Sequence, residues 1–503
     1  MKGIQFEKTL PAVFLASTRP LRIAQIAPLY ESVPPKLYGG TERVVAYLAE
    51  ELVRRGHEVS LYASGDSTAS VPLISGSPQS LRLSGLDHFG PVYHLPMLND
   101  VYDKANRFDI IHSHIDCLGF PLARLAQVPT VSTMHGRLDL KEMVPIYRNY
   151  KDLPVVSISD DQRRPIPDMN WVRTIYHGLP RDILRFSPKA GDYLAFLGRI
   201  SPEKRPDLAI EIARRTGVPL KIAAKVDRND RDYFETVIKP LLCNPGIEFI
   251  GEIRETEKQE LLGGALALLF PVDWPEPFGL VMIEAFACGT PVIARPFGSV
   301  PEVLRHGVTG FIGSSLDELV CSVNKISDIS RQRCREEFET RFTSEVMAAN
   351  YEHLYYHLAA MNRKTQRSAA WPKRPVTDAA LARNASRQWH STLNDGFNGK
   401  KSVGAPAGIQ QLVSGNLMKQ LDNDLGRNNS NLRNTDQTDK PVSHRRQKVS
   451  AKPSDNDSTE WNTTPAELYG CLCHKPDRTL SWNRVSCNTI LKEVTKHGSM
   501  ESF

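Results

Sequence analysis

The fold of this chain is decided by residues 266–289, which read LALLFPVDWPEPFGLVMIEAFACG. The first five residues are apolar, which is typical of a buried strand, and Pro271 to Pro277 is rich in turn-forming residues. A helical pattern runs from Phe278 to Cys288, and Gly289 stands where helices commonly end. A strand, a loop and a helix in this order predict one unit of a parallel α/β sheet.

The predicted helix begins between two carboxylates, Glu276 in the loop and Glu284 within the helix. The backbone N–H groups of Gly279 and Leu280 are expected to point out of the helix N-terminus, whose positive partial charge binds phosphate without a metal. Two acids suit sugar hydroxyls better than phosphates. Glu284 also has apolar neighbours, so it needs a polar partner such as a ribose diol. This segment therefore predicts a nucleotide-sugar site.

The same alternation of strands and helices occurs in two blocks, which predicts two doubly wound, Rossmann-like α/β domains facing a cleft. The linker from Pro180 to Pro188 is the expected hinge, and an aromatic-rich helix from Phe342 to Leu358 is expected to pack back across the cleft. The predicted divisions are an N-terminal extension (1–20), an acceptor-binding domain (21–186), a nucleotide-sugar-binding domain with the returning helix (187–361) and a low-complexity tail (362–503).

Composition limits the class of protein. A chain of 503 residues exceeds one ordinary core, and 41% hydrophobic with 24% charged residues is typical of globular proteins. The net charge of +6 gives no reason to expect a nucleic-acid partner. Eight scattered cysteines indicate buried thiols of a reducing compartment. No apolar stretch approaches the roughly 20 residues that span a bilayer, so we expect a cytoplasmic protein without a transmembrane segment. The tail, which lacks apolar runs, is expected to be disordered.

Four further motifs are expected to face the same cleft. Gly39-Gly40 allows close backbone approach to an anion or sugar, although a tight turn explains it equally well. His135 follows an apolar strand, where a histidine is more often structural than catalytic. Arg199 offers a planar guanidinium fork and Lys204 a point charge, a pair that suits a diphosphate. The alternative explanation, an exposed basic loop, is disfavoured by the position of the run between a strand and a helix. The run from Gly298 to Glu302 begins a helix, with capping as the simpler explanation.

Three other motifs carry metal-binding residue types, and we expect no metal at any of them. His112-Ser113-His114 has two histidines on one face of a strand, but no third zinc ligand is evident nearby. Asp230-Arg231-Asp232 is the aspartate pair that some transferases use for a metal, but its position favours helix capping. Cys471-Leu472-Cys473-His474 lies in the predicted tail.

Taken together, the cleft motifs resemble the retaining glycosyltransferases of family 4, which have the GT-B fold. The resemblance covers roughly residues 21 to 358 with the motifs in the expected order, which is far more specific than any single motif. The motifs that carry it are Gly39-Gly40-Thr41-Glu42, His135-Gly136, Gly198 to Lys204, Glu276 to Glu284, Gly298 to Glu302 and Gly307 to Gly310.

The resemblance implies roles residue by residue. Arg199 and Lys204 would hold the donor diphosphate, Glu284 the ribose and Glu276 the sugar hydroxyls, while His135 would contact the sugar near the reacting carbon. The implied catalytic residues are His135, Glu276, Arg199 and Lys204. The implied donor-binding residues are Gly39, Gly40, Arg199, Lys204, Glu276, Phe278, Gly279, Leu280 and Glu284. Relatives commonly have Asn-Gly where this chain has His177-Gly178, so no role is carried over to that position.

The implied reaction moves a hexose from a nucleoside diphosphate sugar, such as UDP-glucose or GDP-mannose, to a hydroxyl of a glycan, a lipid or a small molecule. The anomeric configuration would be retained, and no cofactor or metal would be needed because cations and a helix N-terminus stabilise the leaving group. Peripheral membrane contact would accompany a lipid acceptor. Two alternatives stay open: a glucan synthase or phosphorylase-like enzyme, and a catalytically silent GT-B scaffold or binding protein whose tail is the working part.

Overall fold

The computed structural model describes residues 19–37 and 39–368, with side chains described as far as Asn362. The predicted tail from residue 369 onward and nearly all of the N-terminal extension lie outside the described residues. The same holds for the motif Cys471-Leu472-Cys473-His474.

Thirteen strands are present in the described residues, and they form two sheets. The first sheet contains β1 (Arg22–Ile26), β2 (Glu58–Ser64), β3 (Leu73–Ser77), β4 (Ile110–Ser113), β5 (Thr130–Thr133), β6 (Val155–Ser157) and β7 (Trp171–Thr174). The second contains β8 (Leu194–Arg199), β9 (Leu220–Lys225), β10 (Ile247–Gly251), β11 (Ala267–Phe270), β12 (Val292–Ala294) and β13 (Gly310–Ile312).

All strand pairs in both sheets are parallel. The strand orders are β3-β2-β1-β4-β5-β6-β7 and β10-β9-β8-β11-β12-β13. Each order reverses beside its first strand, between β1 and β4 and between β8 and β11, which is the arrangement of a doubly wound fold. The predicted architecture of two Rossmann-like domains is therefore confirmed.

Helices cover the faces of both sheets. They are α1 (Gly40–Arg54), α2 (Gly90–Asp103), α3 (Phe120–Leu125), α4 (Val144–Asn149), α5 (Pro206–Thr216), α6 (Arg231–Tyr233), α7 (Lys239–Leu241), α8 (Glu255–Gly263), α9 (Leu280–Cys288), α10 (Val300–Val303), α11 (Leu316–Asn324), α12 (Arg331–Arg341) and α13 (Ser344–Ser368). Throughout residues 19–37 and 39–368, none of them combines the length and the apolar composition needed to cross a bilayer.

Two glycines mark the starts of the helices at the cavity. Thr41 is of a residue type that commonly caps helices, but α1 begins at Gly40 and Gly39 occupies its N-cap position. Helix α9 begins at Leu280 instead of Phe278, because Gly279 has a left-handed backbone with φ of 79° and stands at its N-cap. Gly289, with φ of 81°, ends α9 as predicted.

The chain crosses between the two domains twice, and the two crossings lie side by side. The Leu179 N–H donates to the Phe342 carbonyl at 2.9 Å, and the Ser344 N–H donates to the Leu179 carbonyl at 2.7 Å. A Cβ atom at Gly178 would collide with the Thr343 carbonyl, so this close approach requires glycine. Helix α13 then packs on the first domain, although it follows the second domain in sequence.

Candidate active site

A cavity of about 490 Å³ lies between the two domains, at the carboxyl ends of their strands. This is where doubly wound sheets bind ligands. All ten residues of the predicted site line it: Gly39, Gly40, His135, Arg199, Lys204, Glu276, Phe278, Gly279, Leu280 and Glu284. The structure thus brings the predicted residues together, and the role of each one stays a prediction.

Lys204 and Glu276 form an ion pair in the wall of the cavity. Lys204 ends a short 3₁₀ turn after β8, and its ammonium group donates to the Glu276 carboxylate. The Trp274 indole N–H donates to the same carboxylate oxygen at 2.9 Å. Pro206 is the first residue of α5, a position that suits proline, and Arg205 before it has a left-handed backbone with φ of 55°. The pair presents an ammonium group and a carboxylate side by side to any ligand in the cavity.

Arg199 is the last residue of β8 and contacts three carboxylates. It is paired with Glu203, its Nη1 lies 3.8 Å from Asp227 Oδ2, and its Nε lies 3.6 Å from Asp230 Oδ2. Asp230 stands at the N-cap position of α6 but makes no capping bond with its side chain, so the capping interpretation was wrong for this residue. The cation expected to bind a diphosphate is therefore already held in place by acids.

Glu284 is buried, and its partners are two cations that the sequence analysis did not identify. Lys258 Nζ donates to Glu284 Oε1 at 2.6 Å, and Arg43 Nη1 donates to the same atom at 3.3 Å. Arg43 also pairs with Glu255. Burial opposes ionisation of Glu284, but the two cations hold the pKa of its carboxyl below the ordinary value. A buried glutamate indicates that a cation lies beside it. Spacing along the sequence, however, could not show that Arg43 of the first domain would be one of the two cations.

The N-terminus of α9 opens into the cavity. The first bond within the helix runs from the Met282 N–H to the Gly279 carbonyl at 3.0 Å, so the N–H groups of Gly279 and Leu280 precede the helical bonding pattern. A Cβ atom at Gly40 would lie 3.5 Å from Leu280 Cδ1, which shows how closely α1 of the first domain approaches α9. Phe278 is buried and has ring contacts with His177 and Phe342.

The run from Gly298 to Glu302 packs against the loop that carries Glu276 and Phe278. A side chain at Gly298, where φ is 58°, would collide with the backbone of Glu276. The Ser299 hydroxyl donates to the Phe278 carbonyl at 2.7 Å. Glu302 accepts the backbone N–H groups of Asp160 and Asp161 at 2.8 and 2.7 Å, which ties the second domain to the first. These contacts position Glu276 and α9, beyond the capping expected from the sequence.

Two stacked imidazole rings lie on the first-domain side of the cavity. The rings of His135 and His177 have centroids 5.2 Å apart and planes inclined by 17°. Within the described part of the chain, the Nδ1 atoms of both rings have no hydrogen-bond partner. Burial lowers the pKa of His135 to about 3 and the pKa of His177 well below its ordinary value. Both rings are therefore neutral, and His177 joins the site although the sequence analysis gave it no role.

His112 and His114 are fully engaged with protein groups. The ring of His112 bonds to Thr133 and Tyr355, and the ring of His114 bonds to Gln25 and His135. Over residues 19–37 and 39–368, no group of three or more His, Cys, Asp or Glu side chains is arranged to hold a metal ion.

Two family models match consecutive parts of the chain. The model described as Glycosyltransferase Family 4 matches residues 38–189, and the model described as Glycosyl transferases group 1 matches residues 185–340. Together they cover residues 38–340, more than half of the chain. This chain is a family 4 glycosyltransferase. The resemblance seen in the sequence motifs is thereby confirmed, as is the enzyme class.

Curated relatives of this glycosyltransferase are identical to it at about a quarter of the aligned residues. It is 25% identical over 331 residues to an uncharacterised glycosyltransferase of Methanocaldococcus jannaschii, covering 57% of this chain and 84% of that one. It is 26% identical over 332 residues to the D-inositol 3-phosphate glycosyltransferase of Mycobacterium tuberculosis, covering 55% of this chain and 68% of that one.

Solved structures confirm the GT-B fold of the family 4 glycosyltransferase. A glycosyltransferase involved in avilamycin A biosynthesis superposes with a TM-score of 0.54 at 22% identity, over 68% of this chain and 98% of that one. The sucrose-phosphate synthase of Thermosynechococcus elongatus superposes with a TM-score of 0.57 at 18% identity, over 68% of this chain and 100% of that one.

Proposed function

We propose that this enzyme transfers a hexose from a nucleoside diphosphate sugar to an acceptor hydroxyl, with retention of the anomeric configuration and without a metal ion. The observation that carries the proposal is the convergence of Arg199, Lys204 and the N-terminus of α9 on one cavity that also holds two carboxylates. Cations and a helix N-terminus stabilise a diphosphate, while carboxylates bind the hydroxyls of sugar and ribose.

UDP-glucose is the donor that we would test first. A fold relative from Anabaena, with a TM-score of 0.54 and 18% identity, has been solved in complex with UDP and glucose. In this chain, the ion pair of Lys204 and Glu276 offers a cation to the diphosphate and an acid to the sugar at one place. The same arrangement would accept GDP-mannose, so a donor screen decides between them.

The proposed reaction breaks the bond between the anomeric carbon and the diphosphate oxygen, and its electron pair leaves with the diphosphate. The acceptor oxygen forms its bond to the same face of the anomeric carbon, and its proton passes to the departing phosphate. Lys204, Arg199 and the α9 N-terminus would stabilise the negative charge that develops on the leaving group. Glu276 would hold the sugar hydroxyls, and Glu284 the ribose.

The cytoplasm is the compartment that we propose for this reaction, with peripheral membrane contact if the acceptor is a lipid. Support comes from the cysteines of the described residues, which are all unpaired, with Cys288 and Cys334 buried. Buried free thiols are typical of proteins in a reducing compartment.

The first experiment is a thermal-shift screen of UDP, GDP and ADP sugars with and without EDTA, followed by transfer assays with the donor that binds. A bound donor at a hundredfold excess over its Kd should stabilise the protein by about 2.7 kcal/mol. Proton NMR of the product should show the anomeric configuration of the donor. Stabilisation that depends on added Mg²⁺ would refute metal independence, and an inverted product would refute retention.

Lys204→Ala tests the role of the central cation. Loss of leaving-group stabilisation should lower kcat by on the order of a hundredfold to a thousandfold. The matched control is Lys221→Ala in β9, whose ammonium group lies outside the cavity and 3.6 Å from Glu248 Oε2. The control should keep wild-type turnover. If no nucleotide sugar stabilises the wild type and none is turned over, the silent-scaffold alternative replaces this proposal.

A further inference from the structure

A buried chain of hydrogen bonds runs from His135 in the cavity to helix α13. Its members between the two ends are all buried within the first domain or its contact with α13. The successive distances are 2.9 Å (His135 Nε2 to His114 Nδ1), 2.7 Å (His114 Nε2 to Gln25 Oε1), 3.1 Å (Gln25 Nε2 to Tyr355 Oη), 2.6 Å (Tyr355 Oη to His112 Nδ1), 2.7 Å (His112 Nε2 to Thr133 Oγ1) and 2.8 Å (Thr133 Oγ1 to Tyr351 Oη).

The orientation of the Gln25 amide within this chain determines which nitrogen of His135 carries its proton. A neutral imidazole has one donor and one acceptor nitrogen. The Gln25 carbonyl accepts from His114 Nε2–H, so His114 Nδ1 accepts from His135 Nε2–H. His135 Nδ1 is then left with a lone pair. His135 lines the cavity, and its buried Nδ1 has no partner within the described part of the chain, so this atom is the one left to accept a hydrogen bond from a ligand hydroxyl.

The hydrogen bonds at the α13 end of this series run in the same direction. The Gln25 amide N–H donates to the Tyr355 oxygen, so the Tyr355 hydroxyl proton goes to His112 Nδ1. His112 Nε2–H then donates to Thr133, which has Tyr351 as its next partner. With the Gln25 amide in this orientation, each group uses one donor and one acceptor in the same sense. Reversing one link would place two donors or two acceptors against each other in a buried site, which is costly.

We propose that His114, Gln25 and Tyr355 are positioning residues that hold His135 as the tautomer with a free Nδ1 acceptor for a hydroxyl of the donor sugar. The inference rests on the proposed function, which places the sugar against His135. Tyr355 lies on α13, the helix that returns from the second domain. The helix therefore contributes to the chemistry of the cavity without touching the ligand.

The test compares Tyr355→Phe with Tyr356→Phe, its neighbour on α13. The Tyr356 hydroxyl donates to the Arg19 carbonyl at 3.1 Å and is outside the chain, so this variant is a matched control. Tyr355→Phe leaves Gln25 without an acceptor and His112 without a donor. We expect kcat to fall by on the order of tenfold to a hundredfold with little change in the KM for the donor. Tyr356→Phe should match the wild type in both constants.

A second readout does not depend on activity. Nitrogen-15 NMR of histidine-labelled protein distinguishes a protonated from an unprotonated ring nitrogen, and His135→Gln identifies the His135 signals by their loss. The wild type should show an unprotonated His135 Nδ1, and Tyr355→Phe should show both tautomers. Gln25→Met removes the neighbouring hydrogen bonds with a side chain of similar length, and it should also show both tautomers. It replaces Tyr355→Phe in this test if that variant folds poorly.

An unchanged His135 tautomer in Tyr355→Phe and in Gln25→Met would overturn the inference. An equal loss of kcat in Tyr355→Phe and Tyr356→Phe would overturn it as well. These outcomes differ from failure of the proposed function. In that case the wild type transfers no sugar at all, while the NMR comparison still shows whether the chain controls the His135 tautomer.

Discussion

Glu42 shows at the scale of one residue how burial controls charge in the cleft. Its side chain is buried in α1 and lines the cavity, and burial raises the pKa of its carboxyl to about 7. Glu284 is equally enclosed, yet Lys258 and Arg43 hold the pKa of its carboxyl below the ordinary value. Two glutamates in one cavity thus have opposite shifts because only one of them has cations in direct contact.

Glu42→Gln should remove a pH-dependent loss of stability. The folded protein holds a proton on Glu42 up to a pKa of about 7, whereas the ordinary value is 4.5. The folded state therefore binds more protons in this interval, and wild-type stability falls as the pH rises through it. Above pH 7 the variant should be more stable than the wild type by up to roughly 3 kcal/mol, while below pH 4.5 the two should agree.

Urea unfolding between pH 4 and pH 8 measures this difference. Glu50→Gln on the same helix is the control, because Glu50 is only half-buried and accepts the Ser70 N–H at the surface. A stability difference between Glu42→Gln and the wild type that does not change with pH would contradict the prediction.

The N-terminus of α9 is the element on which the proposed donor site depends most. It follows a left-handed glycine, and a Cβ atom at Gly279 would lie 2.9 Å from Met282 Cε and 3.0 Å from Phe270 Cζ. From Val281 to Cys288 every residue of the helix is buried, so the helix cannot shift to make room. The glycine therefore fixes where the helix N–H groups point.

Gly279→Ala should destabilise the protein by about 2 to 4 kcal/mol, because left-handed strain is added to overpacking. It should also raise the Kd for the donor by turning the helix N-terminus away from the diphosphate. Gly217→Ala is the matched control, since Gly217 has φ of 70° and a Cβ atom there would meet nothing within 4 Å. The control should lose only about 1 kcal/mol. Equal losses in the two variants, measured by urea unfolding, would refute a packing role for Gly279.

At the scale of the whole molecule, polar contacts between the domains cluster around the cavity. Arg43 of α1 reaches Glu255 and Glu284 of the second domain, and Glu302 of the second domain accepts two N–H groups of the first. The paired crossings at Leu179 and Phe342 also join the domains. The contact of Arg43 with Glu284 thus links the two domains and also holds a carboxylate expected to bind the donor.

Arg43→Met should loosen the closed arrangement. Removing one cation from a buried cluster that keeps Lys258 should cost about 2 to 3 kcal/mol of stability. Small-angle X-ray scattering should show a more open molecule that compacts again when the donor binds. Arg54→Met on the same helix is the control, because Arg54 is exposed and pairs with Glu51 within α1, so its loss should cost less than about 1 kcal/mol. Scattering identical to the wild type would show that Arg43 does not hold the domains together.

The sequence by itself determined the two doubly wound domains and ten of the residues that line the cavity. Secondary structure follows from the hydrophobic period, the glycines and the turn-forming residues, all of which act over a few neighbouring residues. The unit from β11 through α9 was therefore predictable, as was the end of that helix at Gly289. The motif order then indicated the family and brought Arg199, Lys204, Glu276 and Glu284 to one site.

Only the tertiary structure decided how these groups are paired. The cations on Glu284 come from α8 and α1, and the acids on Arg199 from loops after β8 and β9. The ring of His135 bonds to His114, directly after β4, and the chain behind His114 continues through β1 and α13. Gln25 and Tyr355 are 330 residues apart, yet they are joined by one hydrogen bond. Local sequence carries no record of such distances, because buried polar groups take whichever partner the packing of the domains places beside them.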